Sequence, residues 1–295
     1  MSVQSIASAA FKHGRSARGL VDEVEQASPT ALIVAGAAGP AAKVEHELLD
    51  GAAPGAVRRV VPGRLDANAL SGGIVLVYAI AGSVCNEDVE ALRTAERIRV
   101  PIVCLLIRPD AASEDREVPY VLARDIVRVP GTLPLGSLLE RVAVRAGSNG
   151  FTLATNVPRL RPAVADAIVA HYARLNGAIG ATPFAGGATL PVLTVNQLRM
   201  VARLAAVHGV AIDAKRAGEI LAVVAAAVGF RSAARLVAGQ LGPRWAIKGG
   251  FAYGGTVAIG EAAIARFAAI ACPAGGEADE DGFGTHPADI DSPSS

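Results

Sequence analysis

The sequence predicts an α/β fold: a parallel sheet covered on both faces, followed by an all-helical domain. Three observations carry this. Strand signals at 31–35, 57–61, 72–82, 100–108 and 125–130 alternate with helical patterns through the first half. Two of them, GGIVLVYAIAG (72–82) and VPIVCLLIR (100–108), are apolar without alternation, as strands buried on both faces are. After Gly147-Ser148-Asn149-Gly150 no strand pattern recurs, and the apolar positions take helical spacing.

Residues 1–29 are rich in Ser and Ala, with a weak helix expected over 16–27 and a stop at Ser28-Pro29. The run at 31–35 meets a Gly-rich turn and then a helix, a strand–loop–helix unit. A helix over 86–99 follows the third strand signal. Asn86 is its expected cap, with Val89, Leu92 and Ala95 at helical spacing. Residues 108–115 read as a loop and 135–146 as the last helix of this half. The expected division is therefore an α/β domain over 28–147, a boundary near 147–155, and a helical domain over 155–272.

The helical segments are expected at 162–176, 194–208, 213–228, 231–240 and 250–271. In the first, Pro162 suits the opening turn, Gly177 suits the exit, and Val164, Ile168, His171 and Leu175 share a face. The second starts at TVNQ, where Thr194 and Gln197 have the spacing of a capping box. Asp213 is an N-cap candidate for the third. The tail, 273–295, gathers six carboxylates among Gly, Pro and Ser and is expected to be disordered.

A net charge of +1 gives no general affinity for nucleic acid. Hydrophobic residues make up 52% of the chain and aromatics only 4%, so Ala and Val carry the apolar weight and helices can approach closely. The mean hydropathy of +0.39 keeps a membrane reading open. Cys85, Cys104 and Cys272 lie far apart and form neither a CxxC pair nor a metal spacing. Residues 1–20 hold no apolar core of a secretory signal, so a cytoplasmic location is expected.

The turn GAAGPAAKVEHEL stands where a nucleotide-binding domain keeps its phosphate loop. A Walker loop needs Gly, four residues, Gly, Lys, then Ser or Thr. Counting from Gly36, Ala41 and Ala42 fill the Gly and Lys positions, Lys43 is one residue late, and Val44 replaces the hydroxyl even if the register slips. Gly36, Gly39 and Lys43 therefore remain weak candidates, set against a tight turn kept for helix packing. The third strand signal ends without an acid before Glu87 and Asp88, whose simpler role is at a helix N-terminus. In IRPD (107–110) only Asp110 keeps the spacing of a guanine-reading acid, and an isolated turn Asp explains it as well. His208 beside Gly209 reads as helix C-terminal capping, and His171 as a core or interface histidine.

The middle of the helical half carries a different signal. No charge occurs between Arg174 and Arg199. The loop within this run holds Phe184, Leu190 and Val192, which cannot all face water without forming an adhesive patch. Their expected place is a seam between helices 194–208 and 250–271, where Gly250, Gly254 and Gly255 leave room; the competing place is a bilayer or a partner. Lys248, Glu261 and Arg266 interrupt the last apolar helix, and its uncharged stretch, 249–260, is short of the ~20 residues that a span needs.

Three blocks in the helical half, NGAIGATPFAGG (176–187), LPVLTVNQLRMVARLAAVHG (190–209) and KGGFAYGGTVAIGEAA (248–263), resemble the YcjF-like bacterial domain of unknown function, which occurs beside or fused to GTPase domains. The resemblance implies membrane association, although several members carry spanning helices that this chain lacks. DVEALRTAERIRVPIVCLLI (88–107) resembles the helix and strand before the guanine motif of an Era/TrmE-type GTPase domain, here with its defining motifs eroded. Together these imply a pseudo-GTPase joined to a helical domain. The function expected is a non-catalytic interaction or scaffold protein with a protein partner or a second copy, at the inner membrane face. No catalytic residue, metal or cofactor and no nucleic acid is expected. An atypical nucleotide-binding switch and a membrane-embedded helical assembly are the alternatives.

Overall fold

A computed structural model describes residues 31–107, 118–129, 133–182, 189–210 and 244–271. The expected helices at 16–27, 213–228 and 231–240, the tail, and Asp110 and Phe184 lie outside the described residues.

The first half is a five-stranded parallel sheet: β1 (Ala31–Gly36), β2 (Val57–Val60), β3 (Gly73–Ala81), β4 (Ile102–Ile107) and β5 (Ile126–Val129). The order is β2-β1-β3-β4-β5, one of the two common doubly wound orders, with the direction of winding reversing between β1 and β3. β1, β3 and β4 are inner strands, and nearly all their residues are buried. That is why their sequences show no alternation. The edge strand β2 places Arg58 and Arg59 in solvent.

Helices cover both faces. On one side lie α1 (Ala38–Leu49) and α4 (Leu135–Ala146), and on the other α3 (Asn86–Arg97) with the short α2 (Ala67–Leu70). The sequence pattern missed α2 and the 3₁₀ turn at Pro62–Arg64. Both are too short for periodicity to register; Asp66 caps α2 by accepting the Ala69 N–H at 2.7 Å.

The second half is helical: α5 (Gly150–Asn156), α6 (Arg161–Ala181), α7 (Thr189–Val207) and α8 (Arg244–Ala271). Residues 147–155, where a boundary was expected, form a 3₁₀ turn and most of α5, with Phe151, Leu153 and Ala154 buried. One apolar core runs from Val34 and Val77 of the sheet through Leu138 of α4 and Leu153 to Met200, Ile259 and Phe267 of the bundle.

Three helical expectations need correction. α6 does not stop at Gly177 but continues to Ala181. Gly177 and Gly180 are contact glycines: a Cβ on Gly180 would lie 2.8 Å from the Ala252 Cβ and 3.0 Å from the Lys248 carbonyl oxygen. α7 starts at Thr189, so Thr194 and Gln197 lie inside the helix rather than in a capping box, and Pro191 is accommodated in the first turn. On α6 the buried face is Val164, Ile168, Tyr172 and Asn176, with His171 exposed and edge-on to Tyr172.

Candidate functional site

In a doubly wound sheet, ligands bind beyond the carboxyl ends of the strands, at the switch between β1 and β3. The sequence places its eroded phosphate turn there. Gly36 ends β1 at φ +107°, and a side chain on it would run into the backbone of Ala79 on β3. The Ala37 N–H is spent on the Ala79 carbonyl at 2.7 Å. The glycine is therefore required for laying the turn on β3.

Little remains to hold a phosphate. Pro40 has no N–H, and Ala41 bonds back to Ala37, leaving Ala38 and Gly39 as first-turn donors. Gly39 has open space around its Cα. Lys43 is exposed, whereas Val44, in the position a metal-binding hydroxyl would take, is fully buried in the core.

Asp88 occupies the third position of α3, where its Oδ2 accepts the Cys85 N–H at 2.9 Å. The cap is thus Cys85 rather than Asn86. Its other oxygen accepts from the Tyr78 hydroxyl at 3.0 Å. Burial, and next the Asp88 charge, push the Tyr78 hydroxyl far above its ordinary range, so it stays a donor. Burial likewise pushes the Cys104 thiol up to about 12, which makes it unreactive at neutral pH. Cys85 is exposed. These groups hold the helix on the sheet. Among the described residues, no three His, Cys, Asp or Glu side chains are grouped to hold a metal ion.

The second candidate region is the end of the bundle where α6 finishes and α7 and α8 begin. A buried polar node sets its register. The Asn176 amide donates to the Thr256 hydroxyl at 3.0 Å, Asn196 donates to the Asn176 Oδ1 at 3.0 Å, and Gln197 donates to Thr256 at 3.3 Å. Thr256 passes its proton to the Ala252 carbonyl at 2.7 Å. The Gln197 Oε1 is buried with no hydrogen-bond partner among the described residues. Above this node α6 and α8 touch through glycine: a Cβ on Gly249 would lie 3.0 Å from both the Gly177 carbonyl oxygen and the Ala181 Cβ.

This corrects the expected seam. Gly250 and Gly254 face outward with open space, and Gly249 and Gly260 are the packed glycines of α8. On the outside of this end, Leu175 (39%), Val192 (45%), Phe251 (39%) and Tyr253 (45%) are exposed. Of the expected adhesive residues, Val192 is exposed on α7, and Leu190 falls within its first turn. Along the described helices, the charges at this end are basic: Arg174, Arg199 and Lys248, all exposed. α7 contains no acid, and the first carboxylates along α6 and α8 are Asp166 and Glu261. The sequence pointed to the uncharged run, but not to Phe251 and Tyr253, because outward and inward small residues look alike on a helix that is apolar nearly all round.

Comparison with family models, curated proteins and solved structures finds no match for this chain.

Proposed function

We propose that this chain is a non-catalytic interaction protein: an α/β domain with an eroded nucleotide-type turn, which carries a helical bundle that docks through its apolar end. The exposed apolar end of the bundle is the observation that supports this reading. Leu175, Val192, Phe251 and Tyr253 are exposed on three helices near the end of the bundle where α6 finishes and α7 and α8 begin, and Arg174, Arg199 and Lys248 are exposed on the same helices. Aliphatic and aromatic side chains bordered by cations suit the surface of an anionic bilayer, where apolar groups enter the boundary and cations meet the headgroups. The pseudo-GTPase and YcjF-like resemblances agree with this reading.

The test is flotation of the full chain with liposomes of neutral or mixed neutral and anionic lipid. Binding that requires anionic lipid and is lost in Phe251→Asp/Tyr253→Asp, with the melting temperature unchanged, supports the reading. No binding to either liposome, together with no partner captured by wild type and lost by the variant, sinks it.

A second reading is a membrane-embedded assembly. It draws on Lys248–Ala271, which is long and apolar enough to cross a bilayer, with only 28% of its most apolar window buried in the protein. Extraction separates the two: carbonate or high salt releases a docked protein, and only detergent releases an embedded one.

A further inference from the structure

The edge of the sheet carries a second surface. Two adjoining clefts, about 700 and 330 Å³, share Leu65 and Asp66 and lie along β2, the following 3₁₀ turn and the outer face of α3. Arg58, Arg59, Arg64 and Arg97 line them with Asp66, and the Glu87 carboxylate lies beside the lining residue Gly63. Two of the arginines are already engaged. Arg58 donates to the Ala69 and Ser71 carbonyls at 2.6 and 3.0 Å, and Arg59 meets Glu45 at 3.3 Å. The carbonyls that Arg58 meets carry no charge to offset its own. Among the described strands β2 pairs only with β1, so its outer backbone edge borders the groove.

The chain's own charge is divided to match. Residues 272–295 contain six carboxylates (Glu277, Asp279, Glu280, Asp281, Asp289 and Asp291) and no Lys or Arg; set against the overall +1, the remainder of the chain carries +7. The last described helix also ends on the side of the molecule from which β2 starts. Phe267 of α8 lies against His208 at the end of α7, with ring centroids 6.3 Å apart. Ala206 of α7 accepts from Thr155 of α5 at 3.3 Å, and Asn156 accepts the Ala53 N–H at 2.8 Å, four residues before β2. Two interhelical steps of ~10 Å each, then the α5–Ala53 hydrogen bond and the length of β2, separate the end of α8 from the groove. The 18 residues from Cys272 to Asp289 span about 60 Å when extended, enough to cover that path.

We infer that the arginine groove beside β2 is a docking site for an extended acidic segment, and that its occupant is the 277–291 segment of the same chain. Carboxylates would pair with Arg64 and Arg97, and the segment would cover the open edge of β2 by strand addition. Tethering favours this occupant over a free acidic peptide, because a short linker holds it at millimolar effective concentration. The site would thus be closed by the chain itself and open to an acidic partner that competes for it.

The experiment uses the full chain with a benzophenone amino acid in place of Ala278, irradiated and mapped by peptide mass spectrometry. The expected result is an intramolecular adduct to residues 58–69 or 94–98. Its yield should fall at least about fivefold in 0.5 M NaCl, where the screening length drops to ~4 Å, and likewise in Arg64→Glu/Arg97→Glu. Neither of those side chains holds a backbone carbonyl, and circular dichroism on the double variant checks that it folds. An adduct between two copies would overturn the inference in favour of a neighbouring chain. Adducts elsewhere, adducts insensitive to the double variant, or no adduct would each overturn it outright.

Discussion

At the scale of single residues, Asp88 shows how an apparent functional acid becomes a structural one. It accepts from the Cys85 N–H and the Tyr78 hydroxyl at once, joining the start of α3 to the middle of the sheet. Asp88→Ala removes a cap interaction and leaves a buried hydroxyl unpaired, so a loss of about 1–3 kcal/mol is expected in urea unfolding. A loss below a few tenths of a kcal/mol would show that the pair contributes nothing. Asp166 gives a pH dependence. Desolvation first, then Glu140 and Glu261, raises its carboxyl above the ordinary carboxylate range. A raised folded-state value means stability is greatest below the unfolded pKa and declines as pH rises through the folded one. Asp166→Asn should flatten that decline at and just above the ordinary carboxylate range in thermal melts across pH, and an unchanged slope would exclude Asp166 as its source. Gly36 and Val44 were legible from the sequence because a motif fixed what each position needed. His171 was not, since a helical wheel gives a face only to within about a residue and Val164, Ile168 and Tyr172 rotated it.

Among elements, the contact between α6 and α8 decides the shape of the bundle. Gly180 meets Ala252 closely while Gly254, five residues beyond Gly249 on α8, meets nothing. Gly180→Val should therefore cost several kcal/mol through overpacking, with Gly254→Val near neutral or slightly stabilising, since valine has the better helix propensity. Equal melting temperatures for the two variants would contradict this packing. Asn176→Leu tests the polar node, because it leaves the buried Asn196 amide without its acceptor while Thr256 keeps Gln197 and Ala252; a loss of about 1–3 kcal/mol is expected by chemical denaturation. The strands were readable because inner parallel strands leave continuous apolar runs. The starts and ends of α6 and α7 were not. Gly177, Pro191 and Thr194 carry the local signature of helix ends, and close packing against α8 overrides it for Gly177. The partner that Gly177 meets, Tyr253, is 76 residues away in sequence, beyond the reach of any window.

Taken whole, the molecule has one continuous apolar core where the sequence suggested a boundary. Phe151 and Leu153, inside the expected linker, belong to the same buried cluster as Leu138 of α4 and Leu204 of α7. Equilibrium unfolding followed in parallel by a sheet probe and by the lone Trp245 should then give one coincident transition. Two separated transitions would restore independent units at 28–147 and 155–272. The alternation of strands and helices was legible at this scale, since it is written in local periodicity. The union of the two halves was not, because it depends on α5, seven residues whose composition resembles a linker.

The polar node carries one more consequence, and it concerns synthesis. Asn176 finds its partner Thr256 only 80 residues later, and Gly177, Gly180 and Val169 wait equally long for α8. A ribosome adding roughly 5–20 residues per second needs about 4–16 s to close that gap. Through that interval a nascent chain presents a bare glycine-lined groove on α6, with amide groups that have no hydroxyl to meet. The sheet, by contrast, is complete at Val129. Nascent chains arrested after residue 240 should bind a holdase chaperone, and chains arrested late enough to expose all of α8 should release it.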